Sequence, residues 1–477
     1  MIALRIPDPV DQKRMPVNKP PRASRLLRYY LFRTRRLSRR QLGTVQDWKL
    51  RVVFWVGALL VGLLTVAFAW VTEQAFQVFV SLEQRSPLIP LVLTPAGMVF
   101  IAWVMRHMGS ESQGSGIPQV LVVLKQRYHW LRPTFLSLRV IVLKFGLTCL
   151  GLMCGASIGR EGPSVQMGAA MMYSVGQMGR LHQKYVDNAL IVAGGAAGVS
   201  AAFNAPLAGI VFAIEELAGS FEQRTSGTLI LAIILSGVVV LMMMGHYSYF
   251  GHPQGTLDLA QDWLAIGVTG LVCGLLGGLF SRLLITGSRF LAPYARQNPY
   301  RVVFLCALVV VFLGLITGGA TYGSGYEQAR HLITEDVEGG VLYPLAKMSA
   351  TLVSYFTGIP GGLFSPSLAA GAGIGNVIGH WVPNSSVVGV TLVAMSAFLA
   401  GVIQRPITSF VIVMELTGNR HDILLPLMAG AFLAAAVAKL VWLRPLYDSL
   451  ADRLQEGEGM ALDRARVVPA EPPESGR

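Results

Sequence analysis

The sequence predicts an all-α integral membrane protein with many spans, and three observations predict it. Of 477 residues, 53% are hydrophobic and only 14% are charged, against roughly a quarter charged in a soluble domain. Mean hydropathy is +0.53. Long apolar runs, among them Val52 to Trp70, Trp263 to Phe280 and Val302 to Thr317, reach or approach the ~20 residues that carry a helix across a bilayer. A soluble fold of this length needs more polar surface than this chain has.

The net charge of +13 resembles a nucleic-acid signal until its placement is considered. Residues 1–51 hold fourteen Lys or Arg against three acids, so the rest of the chain is almost neutral. A basic segment just before the first span is what the positive-inside rule expects of a cytoplasmic N-terminus. No aromatic interleaving or known module points to nucleic acid. Residues 1–44 are therefore read as a basic cytoplasmic segment, Pro-rich at first and then a short surface helix. The first apolar run begins near residue 52, too late and too long for a signal peptide. The four cysteines lie in apolar runs without CxxC spacing and read as small buried hydrophobes. The eight histidines show no metal spacing, so neither a metal nor a cofactor is expected. The tail, 455–477, carries EGEG and PAEPPESGR and is expected to be disordered. It is also too short to form a folded regulatory domain.

The body contains an internal repeat. FNAPLAGIVFAIEEL (203–217) resembles IQRPITSFVIVMELT (403–417), with Pro206 and Pro406 opening the runs and Glu215 and Glu415 nine residues on. GREGPS (159–164) lines up with GLFSPS (362–367), and the GSG at 114–116 with the GSG at 323–325. GGAAGVSAAF (194–203) lines up with AMSAFLAGVI (394–403) in small-residue content, and these four segments in the same order predict two homologous halves, 45–252 and 253–454, although Gly- and Ala-rich helices can also match by chance. Transporter repeats place the substrate site at their interface near the midplane.

Gly and Pro interrupt many apolar runs, most clearly at 114–118, 159–163 and 358–366. Broken backbone at membrane depth is tolerated only inside protein or beside a wet cavity. In GSGIP (114–118), GREGP (159–163) and GGLFSP (361–366), small residues lead into a helix-like run. Glycine allows close approach of backbone, and proline in a first turn lacks an N–H that would be unpaired anyway. Each helix start has free N–H groups and about half a positive charge. Three converging starts make an anion site without a full cation, as conduction requires. Singly, each motif is more often a simple turn.

GSGIP, GREGP, GxFxP and a tyrosine near the end of the last apolar run occur here in order as Gly114–Pro118, Gly159–Pro163, Gly362–Pro366 and Tyr447. Together they resemble the signature segments of the CLC family of chloride channels and chloride/proton antiporters, and FNAPLAGIVFAIEE and RPLY (444–447) add to the likeness. The resemblance covers about 45–455. It implies two inverted-topology repeats of tilted and broken helices, assembled as a homodimer in the lipid bilayer with one pore per subunit.

The resemblance also implies roles. Ser115 and Tyr447 would donate their hydroxyls to a bound anion. Backbone N–H groups of Gly116 and Ile117, of Arg160, Glu161 and Gly162, and of Leu363 and Phe364 would complete the anion-binding set. Glu161 would be the gate, its carboxylate taking an anion position when ionised and leaving when protonated. The alternative is a helix-terminal acid favoured by the dipole. Glu216 would be the internal proton-transfer glutamate, since ionisable residues inside a membrane are functional candidates; the alternative is an acid solvated at the cytoplasmic face. Lys144, seventeen residues before Glu161, would raise the local potential for anions, or else snorkel or form a structural ion pair.

The expectation is a secondary antiporter of chloride and protons in the cell membrane, with both termini cytoplasmic. A passive CLC-type chloride channel shares nearly every motif, but Glu161 and Glu216 together favour the antiporter. An intramembrane enzyme is disfavoured, because no HExxH, GxSxG or paired-aspartate motif stands out. A fluoride-specialised relative is disfavoured by the ordinary GSGIP segment, and a nitrate-preferring one would carry proline in place of Ser115.

Overall fold

The computed structural model describes residues 45–467 except 126–129, 181–183, 219–225, 246–249, 252, 259–260, 335–339 and 384. The chain divides into two units, Met1–Arg51 and Val52–Arg477. Of the first, only the opening turns of one helix are described, where the Arg51 guanidinium lies 5.5 Å from the Trp48 ring centroid. The surface helix expected within 1–44 lies outside the described residues.

The helices run α1 Val45–Arg85, α2 Ile89–Met108, α3 Ile117–Leu124, the short α4 Arg132–Phe135, α5 Leu138–Met153, α6 Glu161–Met178, α7 Lys184–Phe203, α8 Pro206–Phe212 and α9 Ser226–Met244. The second half runs α10 Trp263–Gln297, α11 Pro299–Ile316, α12 Tyr326–Thr334, α13 Leu342–Phe356, α14 Phe364–Trp381, α15 Val387–Ile403, α16 Pro406–Leu416, α17 Leu424–Val441 and α18 Leu446–Val467. Eight of the described helices are long and apolar enough to cross a membrane. The helix α1 has 41 residues, about 60 Å at 1.5 Å per residue, and so exceeds a hydrocarbon layer of ~30 Å, with charged residues at both ends.

The repeat is visible element by element. The starts pair as Val45 with Trp263, Ile89 with Pro299, Ile117 with Tyr326, Leu138 with Leu342, Glu161 with Phe364, Lys184 with Val387, Pro206 with Pro406, and Ser226 with Leu424. Among the described α-helices only α4 and α18 are left over, and α18 carries Tyr447. Close helix crossings recur in both halves. A methyl carbon on Gly168 would lie 2.3 Å from the Gly194 carbonyl oxygen across α6 and α7, and one on Gly375 would lie 2.5 Å from Thr391 Cα across α14 and α15. Small residues at such crossings let backbones approach, which replaces the hydrophobic driving force that lipid removes.

The π-helical turn Ala213–Ala218 continues α8. From it the Glu215 carboxylate accepts the N–H groups of Ile407 and Thr408, at 3.2 and 2.6 Å, in the first turn of α16. In return Glu415 accepts those of Leu207 and Ala208, at 3.1 and 2.6 Å, in the first turn of α8. Each half therefore caps a helix of the other.

Two expectations change. The tail from 455 continues as helix to Val467, because Leu, Ala, Glu and Arg there are strong helix formers and no proline intervenes before 469; residues 468–477 lie outside the described set. Lys144 does not snorkel, since it is fully buried.

A buried ion pair ties α4 to α7. Arg132 lies 3.2 Å from Asp187 with side chains 6% and 12% exposed, and it also donates to Asn188. Arg132→Ala takes the cation from Asp187, which keeps the Gln177 amide at 3.4 Å, and we expect a loss of about 3 kcal/mol, read as a lower unfolding midpoint in detergent. An unchanged midpoint would show that Asp187 finds water or another donor.

Candidate functional site

Three helix starts meet at one point. Gly116, with φ +103°, precedes α3, and Pro118 lies in its first turn. Arg160 precedes α6, and Leu363 precedes α14. The broken segments before them are laced together by backbone hydrogen bonds. Gly114 donates to Gly358 at 3.1 Å, and Gly361 donates to Gly114 at 3.3 Å. Gly159 and Gly362, equivalent positions in the repeat, exchange bonds of 2.8 and 2.6 Å in a single antiparallel bridge. A methyl carbon on Gly162 would lie 2.3 Å from Ser115 Oγ and 3.2 Å from Gly362 Cα. No side chain fits between the three starts.

Ser115, Gly116, Ile117, Glu161, Gly162, Leu363 and Phe364 thus sit together, with Tyr447 closing the group from α18. The Phe364 and Tyr447 ring centroids are 5.9 Å apart, and Tyr447 is fully buried. The hydroxyls of Ser115 and Tyr447 are both buried, and neither has a hydrogen-bond partner among the described residues. Two buried, unpartnered hydroxyls at converging helix starts are what a bound anion would satisfy. A cavity of about 450 Å³ reaches Ser115 from the side of Gln119, Tyr355 and Arg453. The Arg160 guanidinium donates to the Ala69 carbonyl on α1 at 3.3 Å.

Glu161 is fully buried. Its Oε1 accepts the Ser365 hydroxyl, and Oε2 accepts the Ser365 N–H at 3.4 Å. The carboxylate therefore rests on the first turn of α14, where an anion would otherwise find the free N–H groups.

Two buried lysines stand at equivalent places. Lys144 Nζ donates to the Gly114 carbonyl at 2.8 Å. Lys347 Nζ donates to the Gly323 and Thr321 carbonyls at 2.8 and 3.0 Å. Each amino group holds the carbonyl that opens its half's GSG from behind the helix starts. Lys347 was not picked out from the sequence, although it lies 203 residues after Lys144, the same offset that relates Glu161 to Phe364. Ser365, Arg405 and Asp448 were also missed. The first lies inside GGLFSP itself; the other two flank Pro406 and Tyr447.

Glu216 lies apart from the three starts. It is not solvated: its side chain is 1% exposed and pairs with Arg405 at 2.7 Å.

The family model described as voltage gated chloride channel matches residues 97–439. The chain belongs to this family, the CLC proteins. Among curated relatives, the H(+)/Cl(-) exchange transporter ClcA of Yersinia pseudotuberculosis serotype IB (strain PB1/+) is 29% identical over 454 residues, covering 88% of this chain and 92% of the relative. Among solved structures, a slow cyanobacterial Cl−/H+ antiporter superposes with a TM-score of 0.77 at 22% identity, over 85% of this chain and 98% of that one. A CLC-type fluoride/proton antiporter gives 0.72 at 24%, over 85% and 99%. At these identities the structures establish the CLC fold.

Proposed function

We propose that this CLC protein is a secondary antiporter that exchanges chloride and similar anions for protons, and not an enzyme. The observation that carries the reading is the Glu161 carboxylate seated on the first turn of α14, in competition with any anion. Ionised, it blocks; protonated, it loses its charge and its hold, and an anion takes the helix starts. The exchange transporter and antiporter among the relatives support the same reading.

In this account the anion lies between Ser115 and Tyr447, against the N–H groups of Gly116, Ile117, Arg160, Glu161, Gly162, Leu363 and Phe364. Lys144 and Lys347 brace the Gly114 and Gly323 carbonyls from behind. Glu161 and Glu216 carry the proton. The body divides into halves 45–252 and 253–454, and two subunits assemble as a homodimer in the cell membrane with both termini cytoplasmic.

Flux from reconstituted liposomes tests the reading. Under a chloride gradient the protein should drive protons uphill, and Glu216→Gln should abolish proton flux while chloride flux persists. Passive chloride flux alone would establish the channel reading instead. Tyr447→Ala removes one donor, and the bound anion should weaken by ~1.5–3 kcal/mol. Calorimetric titration with chloride reads this, and an unchanged affinity would remove Tyr447 from the site.

A further inference from the structure

Glu216 sits in an ion-pair bridge that its helix motif does not announce. Its Oε2 accepts from Arg405 Nε at 2.7 Å, while Oε1 is buried without a hydrogen-bond partner among the described residues. Arg405 Nη2 donates at 2.9 Å to Asp448, whose side chain is 37% exposed. The guanidinium, 23% exposed, thus joins a dry carboxylate to a wet one.

The other charged or titratable groups facing Glu216 are Glu215 and the Tyr447 phenol. The Glu215 carboxylate is engaged by the N–H groups of Ile407 and Thr408. Helix α3 and the second half of α7, packed on the same turn, carry no ionisable side chain. Arg405 is therefore the one cation facing Glu216 among the described residues.

We propose that Arg405 is a positioning residue for proton transfer, holding Glu216 in the ionised form that can accept a proton, and that Asp448 limits this hold by sharing the same guanidinium. The inference rests on Glu216 being the proton-transfer glutamate. A buried carboxylate without a cation keeps its proton and stops cycling. With Arg405 alone it would be held too firmly. With Asp448 drawing on the same cation, one proton arriving at Oε1 breaks the pair, and Arg405 stays bound to Asp448 instead of being stranded. The proton then leaves for Glu161 and the Arg405 pair re-forms. Asp448 follows Tyr447 directly, so the element that shares the cation also carries an anion donor.

The test is proton and chloride flux against internal pH in reconstituted liposomes. Arg405→Gln should move half-maximal proton flux to higher pH by roughly a unit or more. Proton flux should fall at neutral pH, recover in alkali, and leave chloride flux within about twofold. Asp448→Asn, a change at an exposed residue, should move the profile the other way, since the cation then serves Glu216 alone. Arg405→Lys keeps the charge and should fall between wild type and Arg405→Gln. A merely structural role would lower both fluxes together without moving the profile. Pumping wild-type protein with an unmoved profile in both variants, or with shifts of one sign, overturns this inference and leaves the antiport reading intact. Wild-type protein that drives no protons uphill overturns both.

Discussion

Replacing Glu161 with alanine is expected to leave chloride moving and to end proton coupling. The carboxylate is fully buried and held by the Ser365 hydroxyl and N–H in the first turn of α14. On the proposed reading, alanine removes both the occupant that competes with the anion and the group that carries the proton past it. Glu161→Gln keeps the shape without the charge and should behave as a permanently protonated gate. Both variants should conduct chloride passively and at least as fast as wild type, with proton flux at background. Liposomes under a chloride gradient give the measurement, and uphill proton movement in the alanine variant would disprove the gate.

One residue further along, Gly162→Ala is expected to do the opposite and stop both ions. The added methyl would lie 2.3 Å from Ser115 Oγ, 2.8 Å from the Ser115 carbonyl oxygen and 3.2 Å from Gly362 Cα. The hydroxyl can rotate; the two backbone neighbours cannot. The starts of α3, α6 and α14 must then separate, and that separation misaligns every donor aimed at the anion. Overpacking of this kind costs about 1–3 kcal/mol, so the protein should still fold and elute normally from a sizing column. Chloride and proton flux should both fall at least tenfold, corresponding to about 1.4 kcal/mol in the barrier, and the calorimetric chloride signal should vanish. Wild-type chloride flux in this variant would show that the three starts do not form the site.

How much of this was legible depended on whether a residue's role is local. The breaks at 114–118, 159–163 and 358–366 were readable because Gly and Pro act on their own backbone, and the structure turns each into a helix start. Their convergence was readable only through the joint pattern. The Gly159–Gly362 bridge was not, since pairing across 203 residues leaves no trace in either segment. Lys144 was noticed because a cation in an apolar run stands out. Its acceptor, the Gly114 carbonyl, belongs to the backbone, and its counterpart Lys347 went unnoticed although the repeat locates it. Glu216 drew attention as an intramembrane acid, but whether it met water or a cation depended on Arg405, 189 residues away. The last helix outran its expected end because composition near 455 was judged by its glycines, and the helix formers between and after them prevailed.

The reciprocal caps of Glu215 and Glu415 have a further consequence. An acid of the first half meets a helix start of the second, and the equivalent acid of the second meets the equivalent start of the first. That is the rule of an isologous contact, the kind made when two copies of one surface face each other across a two-fold axis. Nothing in it requires the connecting chain between the halves. Two identical half-length polypeptides, each offering one carboxylate and one proline-led helix, could make the same pair of bonds with each other. The join between the halves fixes their stoichiometry, while the recognition between them resides in self-complementary surfaces.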